Sequence, residues 1–440
     1  MIRQLVAWIG YPLAEWYQGR DIRSKAATLR REMQIPFAER LVLRQKQLAE
    51  SLARAGAEVP YYRDLFWQHR FDPARVAADI RHLEALPYLT KDLIREQGPR
   101  LISEKHPIQQ LAPRKTGGST GPSTIIYYSA EALDWTAAVN LVGLEGAGKF
   151  PHMREVHLAS RYPEAFAWKD RVKEQIKVSV LNRVNIFTDR FDAASLEQVW
   201  RRLRRLRPHL IQGHPSTLYA LAVYLGEQQI DARGTIRVFE STGEVLDPKK
   251  RRKITDIFGC DVVDRFGNAE FGIVAYERLG DPEHRLPLFD GIVWPEARSH
   301  ESGHQELVFT ALRNDAMPLV RYRTGDLGEL LTTANGFYIR NIAGRVHDLV
   351  QIGDSHYPTH YIQDLLDRIG GIDEFQVEQR PNGELVLWLV AGDTARHGAI
   401  KELIYRWWPT GIEVRFTDFG GLKREGWREK FRYVVTSKAA

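Results

Sequence analysis

Cysteine is almost absent: the 440-residue chain has one, Cys260. A single thiol excludes a disulfide framework and any cysteine-rich metal site, and it suits a reducing cytoplasm, where the protein is expected. Long apolar runs are missing as well. The N-terminal "MIRQLVAWIGYPLAEW" is interrupted by Gly10 and Pro12 and closed by Glu15, far short of the ~20 apolar residues of a membrane span. No small-residue cleavage site follows, so no signal peptide is expected. A packed N-terminal helix is the reading, with an amphipathic segment on another protein or a membrane surface as the alternative. The 14 histidines show no metal-ligand spacing. His356 and His360 stand four apart, but Pro358 between them breaks the helix that would aim both at one ion, and no zinc is expected. Repeats and low-complexity tracts are also lacking. Net charge is only +6, compatible with an anionic substrate such as a nucleotide. The densest basic stretch, "VWRRLRRLRPH" at 199–209, has no interleaved aromatics. With Leu203 and Leu206 facing inward it reads as a solvated helix face, and no nucleic-acid partner is expected.

What is present is ample core. Hydrophobic residues make up 43%, with 11 Trp, 17 Tyr and 18 Phe, which argues against disorder. The length calls for one large domain and at least one smaller one. Residues 1–95 read as mostly helical. In "AERLVLRQKQLAESLARAGAEVP", Leu41, Leu48 and Leu52 fall at helical spacing, with Gly56 and Pro60 as stop signals. From about residue 100, strand-like runs ("STIIYYS", "REVHLAS", "PHLIQGH", "TIRVFEST") alternate with helical ones ("SLEQVWRRLRRL", "STLYALAVYLGEQ", "DPKKRRKITDIFG"). That alternation predicts an α/β core of parallel strands and helical crossovers. After 285 strands and turns dominate, and Asn382-Gly383 between apolar runs signals a hairpin. The last 95 residues or so thus read as a compact α+β domain.

Four segments carry candidate chemistry. "KTGGSTGPST", 115–124, packs glycines and hydroxyls into one loop, which suits an anion nest. It is no Walker loop, because Pro122-Ser123 stands where the lysine would be needed; read alone, it is equally an ordinary hydroxyl-rich turn. "DRFGNAEFG", 264–272, sets Glu270 just beyond a strand, where acids of α/β folds often face a ligand crevice; a solvated loop glutamate is the plain alternative. "RYRTGDLGEL", 321–330, puts Asp326 in a Thr-Gly-Asp turn between strands, able to accept two ribose hydroxyls or simply to cap the turn. "AGRVHDLVQIGDSHYP", 343–358, reads as a linker into the last domain.

In order, this loop, "STGEVL", "RFGNAEFG", "RYRTGDLG", "GRVHDLVQIGDSHYP" and a C-terminal lysine resemble the motif series of the adenylate-forming, AMP-binding superfamily. Within it the chain looks like the phenylacetate–CoA ligase family, in particular members associated with capsular polysaccharide biosynthesis, through "VPYYRDLF", "LEALPYLTKDLIRE" and "PHLIQGHPSTLYALAVYL". The resemblance covers nearly the whole chain. It implies a large N-terminal α/β domain, 1–345, and a small mobile C-terminal α+β domain, 346–440. It also implies ATP and Mg²⁺, a small carboxylic acid substrate, and CoA, a carrier-protein thiol or a sugar group as acceptor. By position, Thr116, Gly117, Gly118, Ser119, Thr120 and Gly121 form the phosphate loop. Ser241, Thr242, Gly243 and Glu244 line the adenine pocket. Glu270 binds Mg²⁺, Asp326 accepts the ribose hydroxyls and Arg345 lies beside them. His347 is the hinge, followed by Asp348. His214 falls on the acyl-pocket wall, where a structural histidine is an equal reading. Lys430 in "GWREKFRYVV" matches the catalytic lysine, with Lys423 as runner-up. The chain departs from the pattern at Pro122-Ser123, at Ala269, at His347 and at Glu429. Those departures keep open a second reading, a catalytically weakened binding or scaffold component of a polysaccharide assembly.

Overall fold

The computed structural model describes residues 2–115, 124–159, 178, 180–188, 191–300, 303–345, 349–352, 355–359, 362, 365, 366, 369–425 and 430–436; of residues 2–8, 115, 159, 345, 349, 351, 355–358, 425 and 430 it describes the backbone alone. The phosphate-loop residues Thr116 to Gly121 and the hinge residue His347 lie outside the described residues. Two compact units emerge, one of residues 1–150 and 263–342, the other of 151–262 and 343–440.

The first unit opens with four helices: α1, Ile2–Tyr17; α2, Ile22–Gln34; α3, Phe37–Glu58; and α4, Pro60–Gln68. α3 runs through Gly56 rather than stopping there. The glycine serves packing instead: a Cβ at that position would lie 2.7 Å from a ring carbon of Phe66 on α4. Pro60 takes the first turn of α4, where its missing N–H costs nothing. The buried face of α3 carries two arginines beside Leu48 and Leu52. Arg40 and Arg44 both donate to Asp290, at 2.7 and 3.1 Å, so the charges enter the core already paired. Beyond them an antiparallel sheet runs in the order Val293–Ser299, Gln305–Ala311, Tyr322–Thr333, Gly336–Arg345 and Leu286–Pro287.

The second unit holds the expected parallel strands, ordered Arg183–Phe187, Glu155–Ala159, Leu210–Gly213 and Val238–Ser241. Helices Ala193–Leu206, Pro215–Glu227 and Pro248–Phe258 supply the crossovers. Asp192 and Asp247 cap the first and third of these. Leu203 is buried and Arg201, Arg202, Arg204 and Arg205 point to solvent, as the spacing predicts. The segment from Val350 to Val414 has an apolar core of its own, built on Phe375, Val377, Leu387, Leu389 and Ile404. Its sheet, ordered Glu413–Thr417, Leu385–Val390, Glu374–Gln379 and Val434–Thr436, contains the Asn382-Gly383 hairpin, with Gly383 at φ +82°.

Strand Asp261–Asn268 pairs antiparallel with Gly272–Tyr276, with a register shift at Phe266/Gly267. A Cβ on Gly267 would sit 2.4 Å from the backbone oxygen of Gly272, an atom that cannot rotate away. Gly267→Ala is therefore expected to destabilise the unit by about 1–3 kcal/mol, read from urea unfolding. An unchanged midpoint would mean that the hairpin relaxes freely.

Candidate active site

Glu270 sits in the three-residue connection of that hairpin, which Asn268 closes by accepting the Phe271 N–H at 3.0 Å. The carboxylate is 5% exposed. Tyr322 donates its hydroxyl to Oε1 at 2.9 Å, and the Lys91 ammonium stands 3.8 Å from the same oxygen. Tyr128 fixes the turn from another side, donating to the Ala269 carbonyl at 2.9 Å. Burial and the nearby Glu270 charge push the Tyr128 phenol well above its ordinary range, so it stays a neutral donor. A buried carboxylate costs free energy unless partnered, and here the two named partners converge on one oxygen.

Asp326, expected in a turn between strands, lies inside one continuous strand, Tyr322–Thr333. The register against Gln305–Ala311 slips between Glu306 and Val308, so Thr324-Gly325-Asp326 forms a bulge, with Gly325 at φ +73°. Thr324 braces it: its hydroxyl donates to the Leu307 carbonyl at 2.8 Å and accepts the Asp326 N–H at 3.0 Å. A bulge and a turn share the Gly and hydroxyl signature; the ladder on either side distinguishes them. Asp326 itself is 7% exposed.

In the second unit, Ser241 ends strand Val238–Ser241 and is fully buried; among the described residues its Oγ has no hydrogen-bond partner. Beside it, buried Gln212 donates to Glu240 at 2.8 Å. Gly243, at φ +82°, turns the chain so that Glu244 accepts the Ser216 N–H at 3.2 Å and the Phe431 N–H at 2.7 Å. His214 Nδ1 is 3.5 Å from Glu244, at the N-terminal boundary of helix Pro215–Glu227. Burial alone would raise the Glu244 carboxyl, but the charges of His214 and Arg424 and the Ser216 side chain outweigh it and hold it below the usual range. Lys430 lies on strand Lys430–Phe431, paired with Arg424–Glu425. Glu244 thus grips the backbone one residue beyond Lys430. Lys423 is committed elsewhere, with Nζ 2.6 Å from Glu378. Arg345 ends strand Gly336–Arg345.

No family model matches the chain. Curated relatives do: Protein CapK of Staphylococcus aureus is 24% identical over 335 residues, 74% of this chain and 73% of that protein. The phenylacetate-coenzyme A ligase of Escherichia coli is 25% identical over 375 residues, covering 78% and 80%. Among solved structures, 2-hydroxyisobutyryl-CoA ligase in complex with R3-HIB-AMP superposes with a TM-score of 0.71 at 18% identity, over 93% of this chain and 92% of that one. This is the adenylate-forming fold. The anthranilate CoA ligase AuaEII in complex with anthranoyl-AMP shares it less closely, with a TM-score of 0.52 at 16% identity over 81% and 74%.

Within the adenylate-forming fold of this chain, sequence reasoning passed over Lys91 and Tyr128 and left Tyr322 without a role, although all three surround Glu270. Lys91 opens a short helix behind its cap Thr90 and carries no local mark of function. Tyr322 stood inside a quoted motif, and the signal it offered was strand alternation, which puts it on the same face as Thr324 and Asp326.

Proposed function

We propose that the chain is an ATP-dependent, AMP-forming acid–thiol ligase of the phenylacetate–CoA ligase type, working in the cytoplasm. A carboxylate oxygen bonds to the α-phosphorus of ATP as the bond to the bridging oxygen breaks, releasing pyrophosphate. The thiol sulfur of CoA then bonds to the acyl carbon, its proton leaves, and AMP departs. A carrier-protein thiol or a sugar amine or hydroxyl is the alternative acceptor.

The observation that carries this reading is Glu270, a carboxylate kept 5% exposed and braced by Tyr322 and Lys91. Mg²⁺ needs only one or two protein carboxylates when phosphate oxygens complete its shell. The chemistry of this donor fits: Glu270 would supply one buried oxygen ligand, and ATP phosphates would supply others. Bound there, the ion neutralises phosphate charge. Thr116 to Gly121 cradle the phosphates, Ser241 to Glu244 line the adenine pocket, and Asp326 takes the ribose hydroxyls with Arg345 beside it. The buried Oγ of Ser241, without a hydrogen-bond partner among the described residues, supports a polar ligand at that strand end. His214 borders the acyl pocket. Lys430 meets the α-phosphate, and residues 346–440 turn about His347 between the two half-reactions.

Carboxylate-dependent pyrophosphate release tests the proposal, with Mg-ATP and a panel running from aryl acids and phenylacetate to fatty acids and amino acids, each with and without CoA. Release limited to one acid class supports it; no release and no ATP binding sinks it. Glu270→Gln is expected to raise the Mg²⁺ concentration for half-maximal rate at least ~10-fold, the order of one lost charge-assisted contact. An unchanged Mg²⁺ dependence would remove Glu270 from the metal site.

A further inference from the structure

Helix Ala193–Leu206 ends in a run of arginines that nothing neutralises. Glu197, the one acid within the helix, pairs with Arg201 at 2.7 Å. Arg202, Arg204, Arg205 and Arg207 are exposed, and among the described residues none of the four has an ion pair or a side-chain hydrogen bond. A cation near a helix C-terminus gains from the dipole, which by itself would account for Arg204 and Arg205. It does not account for what the fold sets beside them. His209, two residues past Arg207, accepts the Arg237 N–H on its carbonyl at 3.2 Å and donates its own N–H to the Arg154 carbonyl at 2.9 Å. Arg154, His209 and Arg237 each stand immediately before a parallel strand, so they form a row along the N-terminal edge of that sheet, about 4.8 Å from strand to strand. Arg154 Nη1 donates to the Leu206 carbonyl at 2.8 Å and ties the helix end to this edge. Arg237 and Arg233, on the loop before the last of these strands, are exposed and equally without an ion pair or side-chain hydrogen bond among the described residues. Six unpaired guanidinium groups, from one helix end and two loops, thus share one edge of the second unit.

We propose that this edge docks a short acidic segment, rich in Asp or Glu, of a partner protein. The guanidinium fork pairs a carboxylate bidentately. Arg202 and Arg205, three apart on the helix, stand about 5–6 Å from each other, the spacing that acids one turn apart on a partner helix present. Two observations disfavour larger polyanions. Exposed Asp231, Asp256 and Asp261 lie on the same edge, toward helix Pro248–Phe258, so a bilayer or a nucleic-acid duplex reaching past the arginines meets like charge. Among the described residues, no exposed large apolar side chain lies between 188 and 278. A bilayer therefore finds nothing to insert, and a single nucleic-acid strand finds no ring to stack on. The proposal is independent of the ligase reading. Ser241 ends the four-residue strand that Arg237 precedes, so the two lie about 13 Å apart, at opposite ends of the sheet.

The test is fluorescence anisotropy of a labelled poly-glutamate peptide, about twelve residues long, titrated with the full-length protein at about 0.1 M salt. Arg205→Ala/Arg237→Ala is expected to weaken binding about 10-fold, the loss of two charge-assisted contacts. Lys46→Ala/Arg54→Ala removes the same charge from exposed positions of α3 and is expected to leave binding unchanged. Arg202→Gln, a single change in solvent, gives a smaller loss and covers the case in which the first variant does not fold; circular dichroism checks all three. A peptide that does not bind overturns the proposal. So does an equal loss in both double variants, which would report only the overall positive charge of the chain. A duplex oligonucleotide, or vesicles with about a third phosphatidylserine, binding more tightly than the peptide and losing that binding in Arg205→Ala/Arg237→Ala, would give the edge to nucleic acid or to lipid and overturn it equally.

Discussion

Lys430→Ala is expected to slow carboxylate-dependent pyrophosphate release by about 10²–10³-fold, the size of effect seen when one preorganised donor to a developing negative charge is removed. The expectation rests on what surrounds the residue. Its strand is short, two residues paired with two, and would fray if left alone. Glu244 prevents that by accepting the N–H of Phe431, the next residue, at 2.7 Å. The carboxylate is held ionised by His214 and Arg424 against the cost of its own burial. That bond fixes the backbone one residue from Lys430, and a compact ammonium suits a point contact with phosphate. The measurement is single-turnover pyrophosphate release at saturating ATP, with melting temperature as control. A full rate in Lys430→Ala and a collapsed rate in Lys423→Ala would transfer the role to Lys423, whose ion pair with Glu378 would then have to open.

Lys250→Met is expected to lower stability by about 3–5 kcal/mol, the cost of leaving buried carboxylates without their cation. The Lys250 side chain is 3% exposed. Its ammonium lies 2.7 Å from Glu374 and 3.4 Å from Asp247, donates to Tyr433 Oη at 2.5 Å, and faces the Tyr433 ring with its centroid 4.6 Å away. Burial pulls the lysine down, but Glu374 and Asp247 outweigh it, so its affinity for the proton stands well above the ordinary value and it remains charged. The network ties helix Pro248–Phe258 to strands Glu374–Gln379 and Val434–Thr436. Denaturant unfolding gives the overall loss, and hydrogen exchange in Glu374–Gln379 shows whether it falls there. The double change Lys250→Met/Glu374→Leu should recover most of the loss, since replacing both members of a buried pair by apolar groups is often close to neutral. Asp247 keeps the Tyr433 hydroxyl and the Lys250 N–H in that variant. A single variant as stable as the parent would mean that the carboxylates reprotonate at little cost and the network holds nothing together.

Some of this molecule can be read without coordinates. The alternation of β-rich and helical runs between 155 and 258 maps onto parallel strands and their crossover helices, because burial period and turn residues are local properties of the chain; the run at Ile125–Tyr128 is also a strand, but it pairs antiparallel with Ala112–Lys115 in a sheet of its own, since local period does not choose a partner. Asn382-Gly383 marks a real hairpin for the same reason: Gly383 adopts the positive φ that the turn requires. Glu270 stands where its motif suggests, just past a strand end. Gly56 shows the limit. A glycine in a helical pattern reads as a stop, but here it exists because Phe66 of the next helix needs the space, and no local pattern encodes a neighbour's ring. Asp326 shows it again, since a bulge is defined by the strand opposite.

What the sequence by itself determined, then, is the order of elements, the α/β class and the positions of the charged residues on which a nucleotide-handling site would draw. These follow from dihedral preference and hydrophobic period over windows of ten or fifteen residues. What only the tertiary structure decided is which of those residues are braced and by what: Lys91 and Tyr322 on Glu270, Phe431 on Glu244, Glu374 and Tyr433 on Lys250. Each of these partners comes from 52 to 187 residues away along the chain. Their meeting depends on strand order and loop closure, which cost entropy that only the assembled core repays, so no short window of sequence carries the information.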